Sequence, residues 1–195
     1  VKATGANATT LNLEAQTVVV GDAGGAALTA DTINITGNTT SAGTTGVQIL
    51  RASTVTSSGA TTITSTGLGT SLSSDADTTI AATGGLTVSN NNAGTLASLV
   101  TGGTANAGGL TKQGAGTLTL SNANTMKGTT LVSGGTLALN NVNALQSSTL
   151  DTGSTGTQQV TFIVAGTNTY NLGALQGEDA MAIGANTISA GSNNS

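Results

Sequence analysis

The sequence predicts an all-β fold in which short strands wind into a parallel β-solenoid, and three observations carry that prediction. The first is an internal repeat: the segment 116–126 and the segment 135–145 match at Gly116/Gly135, Thr117/Thr136, Leu118/Leu137, Leu120/Leu139, Asn122/Asn141 and Asn124/Asn143. An alternating strand and a turn recurring after about twenty residues mark units that bury an apolar face only against their neighbours. The second is a series of short apolar-polar-apolar clusters, each bounded by turn formers, which puts two side chains on one face of a strand. The third is the lack of a helical pattern: no segment carries apolar residues at i, i+3, i+4 and i+7 over three turns, and Gly and β-branched residues recur throughout.

Composition supports thin aliphatic layers in place of a globular core. Aromatic residues are 1% of the 195, with Phe162 and Tyr170 the two rings, so the bulk that usually fills a compact core is missing. Leu, Ile, Val and Phe together reach only about a fifth of the chain, close to the level of disordered proteins. Disorder also needs high net charge, and here it is −4. The abundant polar residue is Thr, which favours strands. The absence of Pro leaves every backbone donor available to a ladder, and the absence of Cys means that ladders and stacking replace disulfides. With neither His nor Cys, the usual transition-metal ligands are missing and no cofactor is expected. Lys2, Arg51, Lys112 and Lys127 are the four cationic side chains, scattered in an acidic chain, so no nucleic-acid partner is expected.

From the N-terminus, strands are expected around Leu11–Leu13, Val18–Val20, Ile33–Ile35, Val47–Ile49, Thr62–Thr64, Thr78–Ile80 and Leu86–Val88. Turn formers separate them at 21–25, 37–38, 67–69, 84–85 and 90–92. The centres at 34, 48, 63 and 79 advance by about fifteen residues, less than the nineteen (135 − 116) of the repeat. Coils of variable length produce such spacing; a β-sandwich with hairpins is the alternative for the N-terminal half. Gly94-Thr95-Leu96 opens like the repeat and extends the solenoid upstream. A non-strand turn is expected at Asn143–Gln146, and downstream Gln159–Val164, Thr167–Leu172 and Met181–Ile183 read as further strands.

Within the repeat, parallel coils about 4.8 Å apart stack equivalent residues. Leu118 is expected under Leu137 and Leu120 under Leu139 as aliphatic ladders, with Asn122/Asn141 and Asn124/Asn143 as amide ladders or exposed polar stacks at the turns. These eight residues are the candidate structural ladder; no catalytic, cofactor or metal residue is assigned.

The stretch 109–137, with Gly109-Leu-Thr-Lys112, Gly114-Ala-Gly-Thr-Leu-Thr-Leu120, Asn124-Thr-Met126 and Gly135-Thr-Leu137, resembles the passenger-associated transport repeat of bacterial autotransporters. It differs from that pattern at Asn122, usually Gly, and at Met126, usually Tyr, and has one residue fewer around Lys127-Gly128. The resemblance implies a right-handed parallel β-helix exported across both membranes, displayed at the cell surface or secreted, with a translocator β-barrel C-terminal to this piece. On that basis residues 1–195 are expected to be one β-solenoid fragment of a longer protein, with the repeat at 109–145. Its expected role is structural or adhesive, a stalk or fibre, with neighbouring coils or further copies at its open ends and a host or cell-surface receptor as possible partner.

Two other functions fit the fold class: a self-assembling extracellular filament subunit and a β-helix carbohydrate-active enzyme. Asp75 and Asp77 would put two carboxylates on one strand face, as glycoside hydrolysis or a divalent cation requires. Without a third ionisable neighbour they read as a solvated turn, and Glu178-Asp179 as a loop tip, so no enzymatic activity is expected. The pairs Thr54/Thr56, Thr62/Thr64, Thr117/Thr119 and Thr167/Thr169 are similar to the ladders of ice-binding solenoids, but they do not recur at a constant spacing. They read as ordinary solvent-facing strand residues.

Overall fold

The computed structural model describes residues 10–15, 18–20, 27–37, 45–49, 53–65, 71–103, 105–154, 156 and 158–191. The turns expected at 21–25 and 67–69, Asn38 and the terminal 192–195 lie outside the described residues. The first coil runs through β1 (Thr10–Ala15), β2 (Val18–Val20) and β3 (Ala27–Ala30), the second through β4 (Thr32–Gly37), β5 (Thr45–Ile49) and β6 (Thr54–Ser57). A third contains β7 (Thr61–Ser65), β8 (Ser71–Ser74) and β9 (Thr79–Ala82), and a fourth β10 (Leu86–Asn90), β11 (Gly94–Leu96) and β12 (Leu99–Thr101). From there each coil has two strands: β13 (Leu110–Gln113) with β14 (Thr117–Leu120), β15 (Thr130–Val132) with β16 (Thr136–Leu139), and β17 (Leu145–Asp151) with β18 (Gln159–Phe162). The described chain closes with β19 (Thr169–Gln176) and β20 (Thr187–Ala190).

From β1 to β19 consecutive strands lie in different sheets, and each pairs in parallel with the equivalent strand of the next coil; β19 and β20 are neighbours in one sheet. Among the described strands this makes a nine-stranded sheet from β1 to β20, a seven-stranded sheet from β2 to β18, and a four-stranded sheet β3-β6-β9-β12. Eight steps of about 4.8 Å give the nine-stranded sheet a span of about 38 Å.

The N-terminal half is not a β-sandwich. Its described pairings, such as β1 with β4, β2 with β5 and β3 with β6, are all parallel, whereas a hairpin sandwich requires antiparallel neighbours. The fifteen-residue spacing arises because 34, 48, 63 and 79 lie on β4, β5, β7 and β9, which are spread over three sheets, β4 and β7 sharing one. The true coil advance follows the partners Ile33, Thr61, Leu86, Leu110, Thr130 and Leu150, with steps of 28, 25, 24, 20 and 20 residues. The early coils are longer because they carry a third strand. Gly94-Thr95-Leu96 pairs with Leu118-Thr119-Leu120, two residues out of step with Gly116-Thr117-Leu118, because packing aligns Leu96 with Leu120.

Alternation drives the core. In the seven-stranded sheet, Val47, Leu72, Gly94, Leu118, Leu137 and Val160 form one inward column. Ile49, Ser74, Leu96, Leu120, Leu139 and Phe162 form the next. Leu28, Val55, Ile80 and Val100 line the four-stranded sheet, all buried. Gly94 interrupts its column because a Cβ there would stand 3.1 Å from Leu72 Cβ and 3.3 Å from Asn90 Nδ2. The Asn90 carboxamide occupies that space, donating to Asn92 O at 2.6 Å and Thr117 O at 2.9 Å.

Polar side chains enter the interior at the bends, where carbonyls and amides leave the ladders. The hydroxyl pairs Ser57/Thr61 (2.8 Å), Thr78/Ser98 (2.6 Å) and Thr130/Ser148 (2.7 Å) are buried and satisfy one another. The two aromatic rings meet in the C-terminal coils, Phe162 against Tyr170 edge-on with centroids 4.8 Å apart. The Tyr170 hydroxyl accepts from Val164 N at 2.9 Å and donates to Leu139 O at 3.4 Å, so the buried ring leaves no unpaired oxygen.

Because Leu118 is fully buried between Gly94 and Leu137, Leu118→Ala is expected to cost about 2–5 kcal/mol of unfolding free energy. Its half-exposed strand neighbour is the control: Thr119→Ala should change the denaturant midpoint by no more than about 0.5 kcal/mol equivalent.

Candidate functional site

The repeat occupies β13 to β16 and the start of β17, two coils stacked directly on each other. Leu118 lies opposite Leu137 and Leu120 opposite Leu139 in the β14/β16 ladder, and all four are buried. Asn122 and Asn141 occupy equivalent turns without bonding each other. Asn122 Nδ2 donates to Ala97 O at 3.0 Å and Asn141 Nδ2 to Ser121 O at 3.5 Å, so each carboxamide ties its turn to the coil before it.

Asn124 and Asn143 are not brought together. Asn124 is buried; its Oδ1 accepts from Val100 N at 2.9 Å and its Nδ2 donates to Ala144 O at 3.1 Å. The position opposite Asn124 is thus Ala144, one residue beyond the nineteen-residue alignment. The slip appears because sheet steps differ: Leu118 to Leu137 is 19 residues in the seven-stranded sheet, and Leu110 to Thr130 is 20 in the nine-stranded one. Asn143 instead accepts at Oδ1 from Asn171 Nδ2 at 2.7 Å, in the following coil. Amide-to-amide contacts do occur there and between Asn34 and Asn12, at 2.8 Å.

Asn124 also explains how the four-stranded sheet ends. Beyond β12 its side-chain oxygen receives Val100 N–H, and Thr125 N donates to Val100 O at 3.1 Å, so two residues of an irregular segment take the place of a strand. This role has no signature in an Asn-x-Asn spacing.

Lys112, one of the four scattered cations, is buried and belongs to the core. It sits in phase with Leu110 on β13, in the inward column between Val88 and Val132, and is buried. Its stem lies in the core while Nζ donates to Gln113 O at 2.6 Å, Gly114 O at 2.9 Å and Gly134 O at 3.1 Å. Three donors meet three carbonyls at the bend shared by two coils. Gly114, at φ 77°, and Gly135, at φ 65°, shape that bend with backbone that side chains rarely adopt. Burial holds the Lys112 ammonium down at about 8. The signal that finds it is simple: i, i+2 alternation from Leu110.

The other candidates stay apart. Asp75 and Asp77 are exposed on the turn before β9, where Asp75 O accepts from Thr78 N at 3.2 Å and from Thr78 Oγ1 at 2.6 Å. Glu178 N donates to Gly153 O at 2.8 Å, and Asp179 Oδ1 accepts from Gly156 N at 2.8 Å. Thr54/Thr56, Thr62/Thr64 and Thr117/Thr119 belong to three different sheets, which is why they do not recur evenly along the chain. Among the described residues no group of three His, Cys, Asp or Glu side chains is placed to hold a metal ion.

Replacing Asn124 by the isosteric Leu should leave Val100 N–H and Ala144 C=O buried without the partners that Asn124 supplies, costing about 2–6 kcal/mol at roughly 1–3 per orphaned group, read by chemical denaturation. Lys112 gives a pH signature. Between about 8 and its ordinary 10.5 the unfolded chain keeps the proton and the folded chain has released it, so stability should rise as pH increases through that window. The melting temperature of the native chain, relative to that of Lys112→Met at each pH, should climb from pH 8 to 10.5; a constant difference would contradict the assignment.

No curated protein and no solved structure matches the chain. A family model does: the passenger-associated transport repeat matches residues 110–139, from the first residue of β13 to the last of β16. The chain therefore carries a passenger-associated transport repeat, folded as two stacked coils of an autotransporter passenger-type parallel β-solenoid.

Proposed function

We propose that this chain is a structural segment of an exported, surface-displayed or secreted passenger, a stalk or adhesive fibre whose coils fold after crossing the outer membrane. The observation that carries this reading is the match at residues 110–139, which covers the paired strands of two stacked coils, β13 with β15 and β14 with β16. The physics of the fold suits the route. Each coil bonds to its immediate neighbours, so structure propagates from one formed coil to the next. A chain without Cys crosses an oxidising compartment with no disulfide to trap it unfolded or misfolded. A β-barrel translocator is the partner such export requires, and a cell-surface receptor the partner of an adhesive role. Neither role calls for catalysis, and none is proposed.

The test is a display assay. The 195-residue chain is joined to an autotransporter β-barrel and its appearance on intact cells followed by accessibility to external protease. Leu118→Asp, which puts a carboxylate into the coil interface, is expected to lower surface display several-fold, while Thr119→Asp on the outward face leaves it near the native level. Equal display of both variants would count against a role for the repeat in export.

A further inference from the structure

We infer that the irregularity in β17 forms a binding site for neutral sugars, lined by Gln146, Ser147, Asn171 and Ser189. The β17/β19 ladder pairs Leu145 with Leu172 and then Thr149 with Ala174, four residues (149 − 145) against two (174 − 172). Two extra residues therefore bulge from β17, a feature that re-aims side chains and concentrates near functional sites. Ser148 turns into the core, held by Thr130 Oγ1 at 2.7 Å and Gly128 O at 2.5 Å, while Gln146 and Ser147 are left at the surface, half-buried. Together with Asn171 and its exposed ladder partner Ser189 they line an open surface depression of about 280 Å³.

The chemistry of that lining selects the ligand class. Two carboxamides and two hydroxyls each donate and accept, as sugar hydroxyls do. None of the four is charged, so the lining offers no counter-ion to a phosphate or carboxylate and no carboxylate to a cation. One carboxamide is set in place before any ligand arrives: Asn171 Nδ2 donates to Asn143 Oδ1 at 2.7 Å and Asn171 N to Val142 O at 2.8 Å. The volume lies just below the roughly 300–1,000 Å³ of small-molecule pockets and suits one ring of a longer glycan. With Tyr170 buried, no ring is offered for stacking at the site, so recognition is by hydrogen bonds. Single-site affinity is correspondingly weak, and display of many copies on one surface raises it by avidity. The use of the site in adhesion rests on the surface-display reading; sugar binding by the chain does not.

The experiment is a titration of the ¹⁵N-labelled 195-residue chain with glucose, galactose and N-acetylglucosamine, followed by backbone and side-chain amide resonances, with galacturonate and inorganic phosphate as anionic comparators. At least one neutral sugar is expected to shift Gln146, Ser147, Asn171 and Ser189, with affinity reduced tenfold or more in Gln146→Leu and in Ser147→Val. The inference is overturned by silence at these resonances towards all three sugars, by shifts that persist unchanged in both variants, or by an equal response to phosphate. Adhesion of displaying cells to glycan-coated surfaces separates the two readings. Adhesion without pocket shifts overturns the pocket and leaves the adhesive stalk standing; pocket shifts without adhesion support the pocket and count against the adhesive stalk.

Discussion

Coil-on-coil backbone pairing is the constraint on which everything else in this molecule depends. Once each strand bonds in parallel to its equivalent one coil away, side chains of the same phase are forced into columns, and an inward position is shared by every coil that passes it. That is why aliphatic residues suffice without aromatic bulk: Val47, Leu72, Leu118, Leu137 and Val160 stack in one thin column along the axis, broken at Gly94. It is also why a single misfit is felt in two neighbours, as at Gly94, where the absent side chain makes room for the Asn90 carboxamide.

The ladders leave one problem unsolved, which is what happens to backbone polar groups at the bends. The molecule answers with side chains from inside the coil. Hydroxyl pairs serve the simple corners, Asn122 and Asn141 tie turns to the preceding coil, and Asn124 replaces a strand where the four-stranded sheet stops. Lys112 is the extreme case, a cation drawn into an aliphatic column because its three donors meet three carbonyls belonging to two coils. An ammonium buried in this way is tolerated only when it is fully hydrogen-bonded. The same logic makes the repeat a lock between coils.

The aliphatic ladder was legible because alternation and the nineteen-residue repeat state it directly. The number of sheets was not, since apolar triplets on β4, β5 and β9 look alike in sequence although they lie in three different sheets. The pairing of Asn124 with Ala144, and of Asn143 with Asn171, escaped for a related reason: a one-residue difference between adjacent sheets accumulates in the turn, beyond the reach of any alignment of equal-length repeats. The bulge in β17 is equally silent, because two surplus polar residues in a strand read as ordinary strand.

The sequence by itself determined the periodicities: period-two alternation for strands, a repeat near twenty residues for coils, and the composition that rules out an aromatic core and disulfides. Those properties are local, set by each residue's neighbours along the chain. Register, the end of the four-stranded sheet at β12, the inward turn of Lys112 and the depression beside Asn171 were decided only by the tertiary structure. Each depends on which residue of one coil lies over which residue of the next, and that is settled by packing and backbone satisfaction between segments some twenty residues apart.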